Sequence, residues 1–166
     1  MKQPRCHADV FLCAGQLAVH AVPVTIKTIV GSCVAVCLWD RQRRIGGVNH
    51  FLLPRAGPGD VPDLRFGSVA TVRLIEELCH AGATLLGLEA AVVGGGSPLP
   101  ALKLAAVGRD NVAVALAVLH SRRIPIVRQD TGGAYGRKLL FDTRTGQVLV
   151  RRLRSVPAAV GQGMGA

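Results

Sequence analysis

The stretch VGSCVAVCLWDRQRRIGGVNHF, residues 30–51, holds two apolar runs separated by the polar segment DRQRR. Val34 to Trp39 and Gly46 to Leu53 read as strands, the second stopped by Pro54, and the polar segment reads as the turn of a hairpin. Cys33 follows Gly-Ser at the head of the first run, and His50 lies 17 residues later near the end of the second. If Arg41 and Gln42 form a two-residue loop, Asp40 pairs with Arg43 and Cys33 falls directly opposite His50. A loop longer by two leaves the pair diagonal on one face. A loop longer by one puts them on opposite faces. Gly46 and Gly47 permit a bulge, so the register stays open.

Outward from the hairpin, Val22 to Val30 reads as a preceding strand, and PRAGPGDVPD after it is a Pro/Gly-rich loop. From Phe66 the spacing turns helical, with Val69, Val72, Ile75, Leu78 and Cys79 on one face and Gly82 as the stop. Leu86 to Val93 is a buried-type strand running into GGGSP. A second helix is expected from about Gly108 to His120, with Val112, Leu116 and Leu119 inward. IPIV is a short strand, and RKLLFD and QVLVRRL form a hairpin across TRTG, where Gly146 supplies the positive φ. Strands mixed with two amphipathic helices predict an α/β (α+β layered) single domain, a largely antiparallel or mixed sheet with helices packed on it. The domain is expected over residues 1–157, with 158–166 as a disordered tail.

At 166 residues the chain is long enough to bury a core without disulfides or metal. No run approaches the 18 or so apolar residues of a membrane helix, and the N-terminus lacks a signal-peptide pattern, so a cytoplasmic protein without membrane insertion is expected. The five cysteines, at 6, 13, 33, 37 and 79, have no paired spacing and read as reduced thiols. Cys6, His7 and Cys13 match no common zinc pattern, and neither metal nor cofactor is expected. The net charge is +10, and nine basic residues fall between Arg122 and Arg154. That balance attracts polyanions, but only 4% of the chain is aromatic and no helix-turn-helix accompanies the charge. A basic face that meets an acidic protein explains it as well, and no nucleic-acid partner is expected.

A thiol beside an imidazole makes a nucleophile and its base. Gly31 and Ser32 let the backbone approach a substrate closely, and N–H groups near Cys33 would stabilise an oxyanion. A nearby imidazole would also lower the thiol pKa and make thiolate available near neutral pH. The plainer reading is that free cysteine is often simply buried, and Cys37, on the same face, reads as core. His7, His20, His80 and His120 have no visible partner and read as surface or helix-end residues. The glycines at 94–96 lack the Lys-Ser/Thr of a phosphate loop and read as a strand-end turn. DTGG at 130–133 reads as a glycine-shaped loop rather than an aspartic protease triplet. Leu64, Phe66, Tyr135 and Arg137 are candidates for a substrate-facing rim, with ordinary packing as the alternative.

TIVGSCVAVCLWD…GGVNHFLLP resembles the signature of the CheD family of chemoreceptor glutamine deamidases. The resemblance continues through RFGSVATVRLIEELCHAGA, VVGGGSP and VGRDNVAVALAVLHSRRIPIVRQDTGGAYGRKLLFDTRTGQVLVRRL, from about Phe11 to Leu153. It implies a cysteine hydrolase with Cys33 as nucleophile, His50 as base and Thr28 as the third member, Thr25 being the weaker substitute. It implies as substrates the glutamine side chains of methyl-accepting chemoreceptor cytoplasmic domains, converted to glutamate through a thioester, with glutamyl methyl esters also acceptable. A CheC-type phosphatase is the further partner implied, and a catalytically weak adaptor that binds it is the alternative function. A monomer is the simplest expectation. The chain departs from the family at GGGSPL, commonly GGAxM or GGANM, and at Ser68, commonly acidic.

Overall fold

The computed structural model describes residues 8–154; the expected tail at 158–166, together with Cys6 and His7, lies outside them. Eleven elements follow in order: β1 (Ala8–Phe11), β2 (Gln16–His20), β3 (Val24–Val30), β4 (Val34–Asp40), β5 (Ile45–Phe51), α1 (Gly67–His80), β6 (Leu88–Gly94), α2 (Ala105–Ser121), β7 (Ile126–Thr131), β8 (Gly136–Asp142) and β9 (Gln147–Leu153). The class is α/β, with mixed, mainly antiparallel sheets. The strands divide between two sheets, a partition that the sequence reading did not contain. One sheet has the order β1-β3-β8-β9, the other β2-β5-β4-β6-β7. Pairing is antiparallel except for β1 with β3 and β6 with β7. Strands β1 and β2 also went unread, because each is short, half-exposed and without strict alternation.

Two apolar layers hold the stack. Val34, Val36 and Leu38 of β4 and Ala90 and Val92 of β6 meet Leu74, Leu78, Ala115 and Leu119 of the helices. The alternate residues, Ala35, Cys37, Val48, Ala91 and Val93, meet Ile26, Leu139 and Phe141 of the other sheet. The five-stranded sheet is thus covered on both faces, which is why β4 and β5 read as nearly continuous apolar runs rather than alternating ones. Leu139 and Phe141 are wholly buried; at about 25 cal/mol per Å² of apolar surface, each contributes roughly 1.5–3 kcal/mol.

The central hairpin has a four-residue loop. Asp40 pairs with Ile45, Ala35 with His50 and Val34 with Phe51. Asp40 enforces this longer turn. Its Oδ1 accepts from the N–H groups of Gln42 and Arg43, and its Oδ2 accepts from the N–H and hydroxyl of Thr84. Burial favours the protonated acid, but these hydrogen bonds outweigh it and hold the Asp40 pKa below the ordinary carboxylate value. With two extra loop residues, Cys33 and His50 are diagonal and on the same face.

Helix α1 ends as expected at Gly82, whose φ is +106°, with Ala83 N–H donating to Leu78 and Gly82 N–H to Cys79. Its buried stripe is Gly67, Ala70, Thr71, Leu74, Ile75 and Leu78, so Val69 and Val72 flank the core and Cys79 faces solvent. In α2 the buried residues are Gly108, Asn111, Val114, Ala115 and Leu119. Val112 and Leu116 are only half-buried. Helix α2 is apolar over much of its circumference, and small residues such as Gly108 and Ala115 let it approach the sheet on a stripe that side-chain size alone does not reveal. Among the described residues no helix is long and apolar enough to cross a membrane.

Candidate active site

Cys33 lies one residue before β4, and His50 is the next-to-last residue of β5. Both belong to the face that looks toward the other sheet, Cys33 packing at the edge of the intersheet core. From that other sheet, β3 presents Thr28 inward, wholly buried, and its Oγ1 lies 2.8 Å from His50 Nδ1. The same hydroxyl donates to the Leu12 carbonyl at 2.8 Å. Two strands from different sheets thus meet at one imidazole. Thr25, the weaker substitute, pairs with Asp142 three residues away along β3 and therefore faces outward.

The other end of the ring is unengaged. His50 Nε2 is buried and without a hydrogen-bond partner, so no thiol–imidazole hydrogen bond exists in the resting site. Burial lowers the His50 pKa below the ordinary imidazole value, opposed by the nearby Leu12 backbone carbonyl. Burial likewise raises the Cys33 pKa above the ordinary thiol value, offset only in part by its own backbone N–H. Both shifts favour a neutral thiol beside a neutral imidazole. The expectation of a thiolate near neutral pH is therefore corrected: desolvation outweighs any help from the ring while the ring is uncharged.

The segment ahead of the thiol is held by its carbonyls. Gly31 accepts from Gly96 N–H at 2.8 Å, Ser32 from Asn111 Nδ2 at 3.0 Å and Cys33 from Gly95 N–H at 2.8 Å. By contrast, the N–H groups of Gly31 and Ser32 donate to no acceptor among the described residues. Those two unpaired donors flank a half-exposed thiol and can serve an oxyanion. The glycine run 94–96 is the clamp. Gly94 has φ +124°, and a Cβ there would stand 2.2 Å from the Cys33 carbonyl oxygen. The run acts as more than a strand-end turn, because Gly94 O also accepts from Gly132 N–H, and the next residue, Ser97, donates its N–H to Gly133 O.

Asn111 is the residue that the sequence reading missed. It is wholly buried on α2, and its Nδ2 donates to both Ser32 O (3.0 Å) and Leu52 O (2.8 Å), joining the thiol loop to the strand that carries His50. A polar residue in the middle of an apolar helix was the available signal. Its Oδ1 and His50 Nε2 are the buried side-chain polar atoms without a partner among the described residues, and both belong to this site. The proposed rim is not assembled: Phe66 and Arg137 are buried, Arg137 being ion-paired to Asp130 at 2.8 Å. Tyr135 is flanked by the Arg137 and Arg152 guanidiniums at 4.9 and 4.4 Å from its ring centre. His80 and His120 are exposed near helix ends, and Cys37 is buried core.

Residues 52–152, more than half of the chain, match the sequence model described as CheD chemotactic sensory transduction. The chain belongs to the CheD family. Among its relatives, the probable chemoreceptor glutamine deamidase CheD 1 of Anaeromyxobacter dehalogenans is 48% identical, over 88% of this chain and 85% of its own length. The like-named CheD protein of Rhodospirillum rubrum is 43% identical over 87% of this chain and 82% of its own length. That of Trichlorobacter lovleyi is 41% identical, over 86% and 89%. The family match begins just beyond His50, but a relative aligned over 88% of the chain spans the CheD segment 28–50 as well.

Proposed function

We propose that this chain is a protein-glutamine deamidase of chemotaxis, converting glutamine side chains of chemoreceptor cytoplasmic domains to glutamate with Cys33 as nucleophile, His50 as base and Thr28 as its orienting partner. One observation carries the reading. Thr28 fixes one end of a buried imidazole, while the other end, Nε2, is left unbonded on the face that Cys33 shares. A ring tethered at Nδ1 and free at Nε2 is built to exchange a proton there. The names of the relatives support the substrate class.

The reaction follows from the residue types. As the carboxamide enters, Nε2 takes the Cys33 proton and the sulfur forms a bond to the carboxamide carbon. The carbonyl electron pair moves to oxygen, which the Gly31 and Ser32 N–H groups receive. Imidazolium returns its proton to the nitrogen as the C–N bond breaks, so ammonia rather than amide anion departs. Water then adds to the thioester, His50 accepts its proton, and the thiolate leaves and is reprotonated. A glutamyl methyl ester enters the same cycle with methanol leaving. Because thiol and ring rest neutral, proton transfer accompanies attack rather than preceding it.

The test is mass spectrometry of a receptor cytoplasmic fragment incubated with the chain or with Cys33→Ala. A gain of about one mass unit at particular glutamines, lost with Cys33→Ala and with His50→Ala, is expected, the loss being on the order of a thousandfold or more in rate. No gain with the unmodified chain would sink the deamidase and leave binding to a CheC-type phosphatase as the function to pursue.

A further inference from the structure

Thr28 has one hydroxyl proton and two neighbours at the same distance. Its Oγ1 stands 2.8 Å from the Leu12 carbonyl oxygen and 2.8 Å from His50 Nδ1. A carbonyl can only accept, so the hydroxyl proton points at Leu12. The Thr28 oxygen then offers Nδ1 a lone pair, and that contact is a hydrogen bond only if Nδ1 carries a proton. We propose that the main-chain carbonyl of Leu12 is a positioning group of this site, orienting the Thr28 hydroxyl so that His50 is held as the Nδ1–H tautomer with its lone pair on Nε2. The consequence for catalysis rests on the deamidase reading; the tautomer itself does not.

Without that carbonyl, a threonine is an ambiguous third member. An Asp or Asn side-chain oxygen accepts from Nδ1–H, but a hydroxyl can equally well donate to Nδ1. Donation would put the ring proton on Nε2, where it cannot receive one from a thiol. Holding a catalytic histidine in the wrong tautomer costs on the order of 10⁴-fold in one well-studied triad. Here the Leu12 carbonyl removes the ambiguity by occupying the only proton that Thr28 has.

The N-terminal segment is built to deliver that oxygen. β1 pairs in parallel with β3, Phe11 opposite Lys27, which sets Leu12 beside Thr28. Leu12 is buried, and its own N–H donates to the Lys27 carbonyl at 2.8 Å. The next turn is tied to the base strand as well: Gly15 N–H donates to the His50 carbonyl at 2.7 Å, and Gln16 pairs with His50. No carboxylate or cation among the described residues forms an ion pair with His50. The Leu12 carbonyl also favours the charged ring, working against the burial that depresses the His50 pKa.

The experiment uses the full chain with ¹⁵N-labelled histidine, the His50 signals being identified by their loss in His50→Gln. In long-range ¹⁵N–¹H spectra above the ring's titration, His50 is expected with Nδ1 protonated and Nε2 bare. A protonated Nε2, or a fast average of both forms, overturns the proposal. A second variant replaces residue 13 by its α-hydroxy acid, turning the Leu12–Cys13 amide into an ester whose carbonyl is a weaker acceptor. Its His50 titration is expected at lower pH than in the parent, and its deamidation rate roughly threefold to tenfold lower, the worth of about one hydrogen bond. An unchanged His50 titration also overturns the proposal. The ester removes the Cys13 N–H that donates to Gln16 Oε1, so Gln16→Ala serves as the control and should move neither readout. Both spectra need no substrate: absent deamidation would sink the deamidase while the tautomer stands, and a wrong tautomer would sink the Leu12 assignment while deamidation stands.

Discussion

At the scale of single residues, the neutral pairing of Cys33 and His50 has consequences for pH. The burial that lowers the His50 pKa keeps its base form intact to below the ordinary imidazole value of 6.5. Deamidation is therefore expected to persist at pH 6.5 and to fall only at lower pH, as Nε2 becomes protonated. The Cys33 pKa moves the other way, above 9.0, so the free thiol stays protonated through neutrality. Peptide-resolved alkylation with iodoacetamide at pH 7.5 should label the exposed Cys13 and Cys79 first, with Cys33 catching up only above pH 9. Faster labelling of Cys33 than of Cys79 at neutral pH would show a resting thiolate and overturn the neutral pair. Thr28 and His50 are joined by one hydrogen bond, yet no separation in sequence predicts it: their 22-residue gap spans two strands that belong to different sheets.

At the scale of elements, the site is a seam between β4, β5, β3, α2 and the glycine run after β6. Asn111 and Gly94 hold the backbone of the thiol segment in place. Asn111→Ala removes two buried hydrogen bonds and leaves the Ser32 and Leu52 carbonyls unsatisfied, which costs about 2–4 kcal/mol. At about 2–4 °C per kcal/mol for a chain of this size, calorimetry should show Tm lower by roughly 4–16 °C. The rate measured well below Tm should fall too, because the thiol loop loses its register against β5. Gly94→Ala adds a Cβ 2.2 Å from the Cys33 carbonyl in a backbone conformation that alanine avoids, and should be worse than Asn111→Ala on both counts. A Gly94→Ala protein with parental Tm and activity would contradict the clamp. Element positions were largely legible in the sequence, since Gly, Pro and the change of apolar period punctuate them. The buried stripe of α2 was not, because a helix that is Ala, Val and Leu over most of its circumference carries little directional signal. In α1, by contrast, the expected Ile75 and Leu78 are buried, and Val69 and Val72 only flank the stripe.

At the scale of the molecule, two apolar layers meet on one five-stranded sheet, and Cys33 packs against the layer between the sheets. Leu139, wholly buried in that layer, pairs across strands with Thr28. Leu139→Ala should cost about 2–5 kcal/mol through the cavity it leaves. It should also lower deamidation at temperatures where the protein remains folded, since the strand behind Thr28 loosens. Denaturant titration together with the rate at 25 °C checks this; a stability loss with full activity would mean that Thr28 is held independently of the intersheet core. The sequence by itself determined that Cys33 and His50 share a face whenever the hairpin loop is even in length, because an even change preserves the alternation of side chains along a strand. The structure supplied the even, four-residue loop. It also determined the family, through motifs that run along almost the whole chain. Only the tertiary structure decided that the strands form two sheets, that Thr28 and Leu12 meet the imidazole from the second of them, and that Asn111 reaches the thiol loop from a helix. Those contacts join residues far apart in the chain through packing between layers, and the period of a single strand or helix records which side faces inward but not what it will meet there.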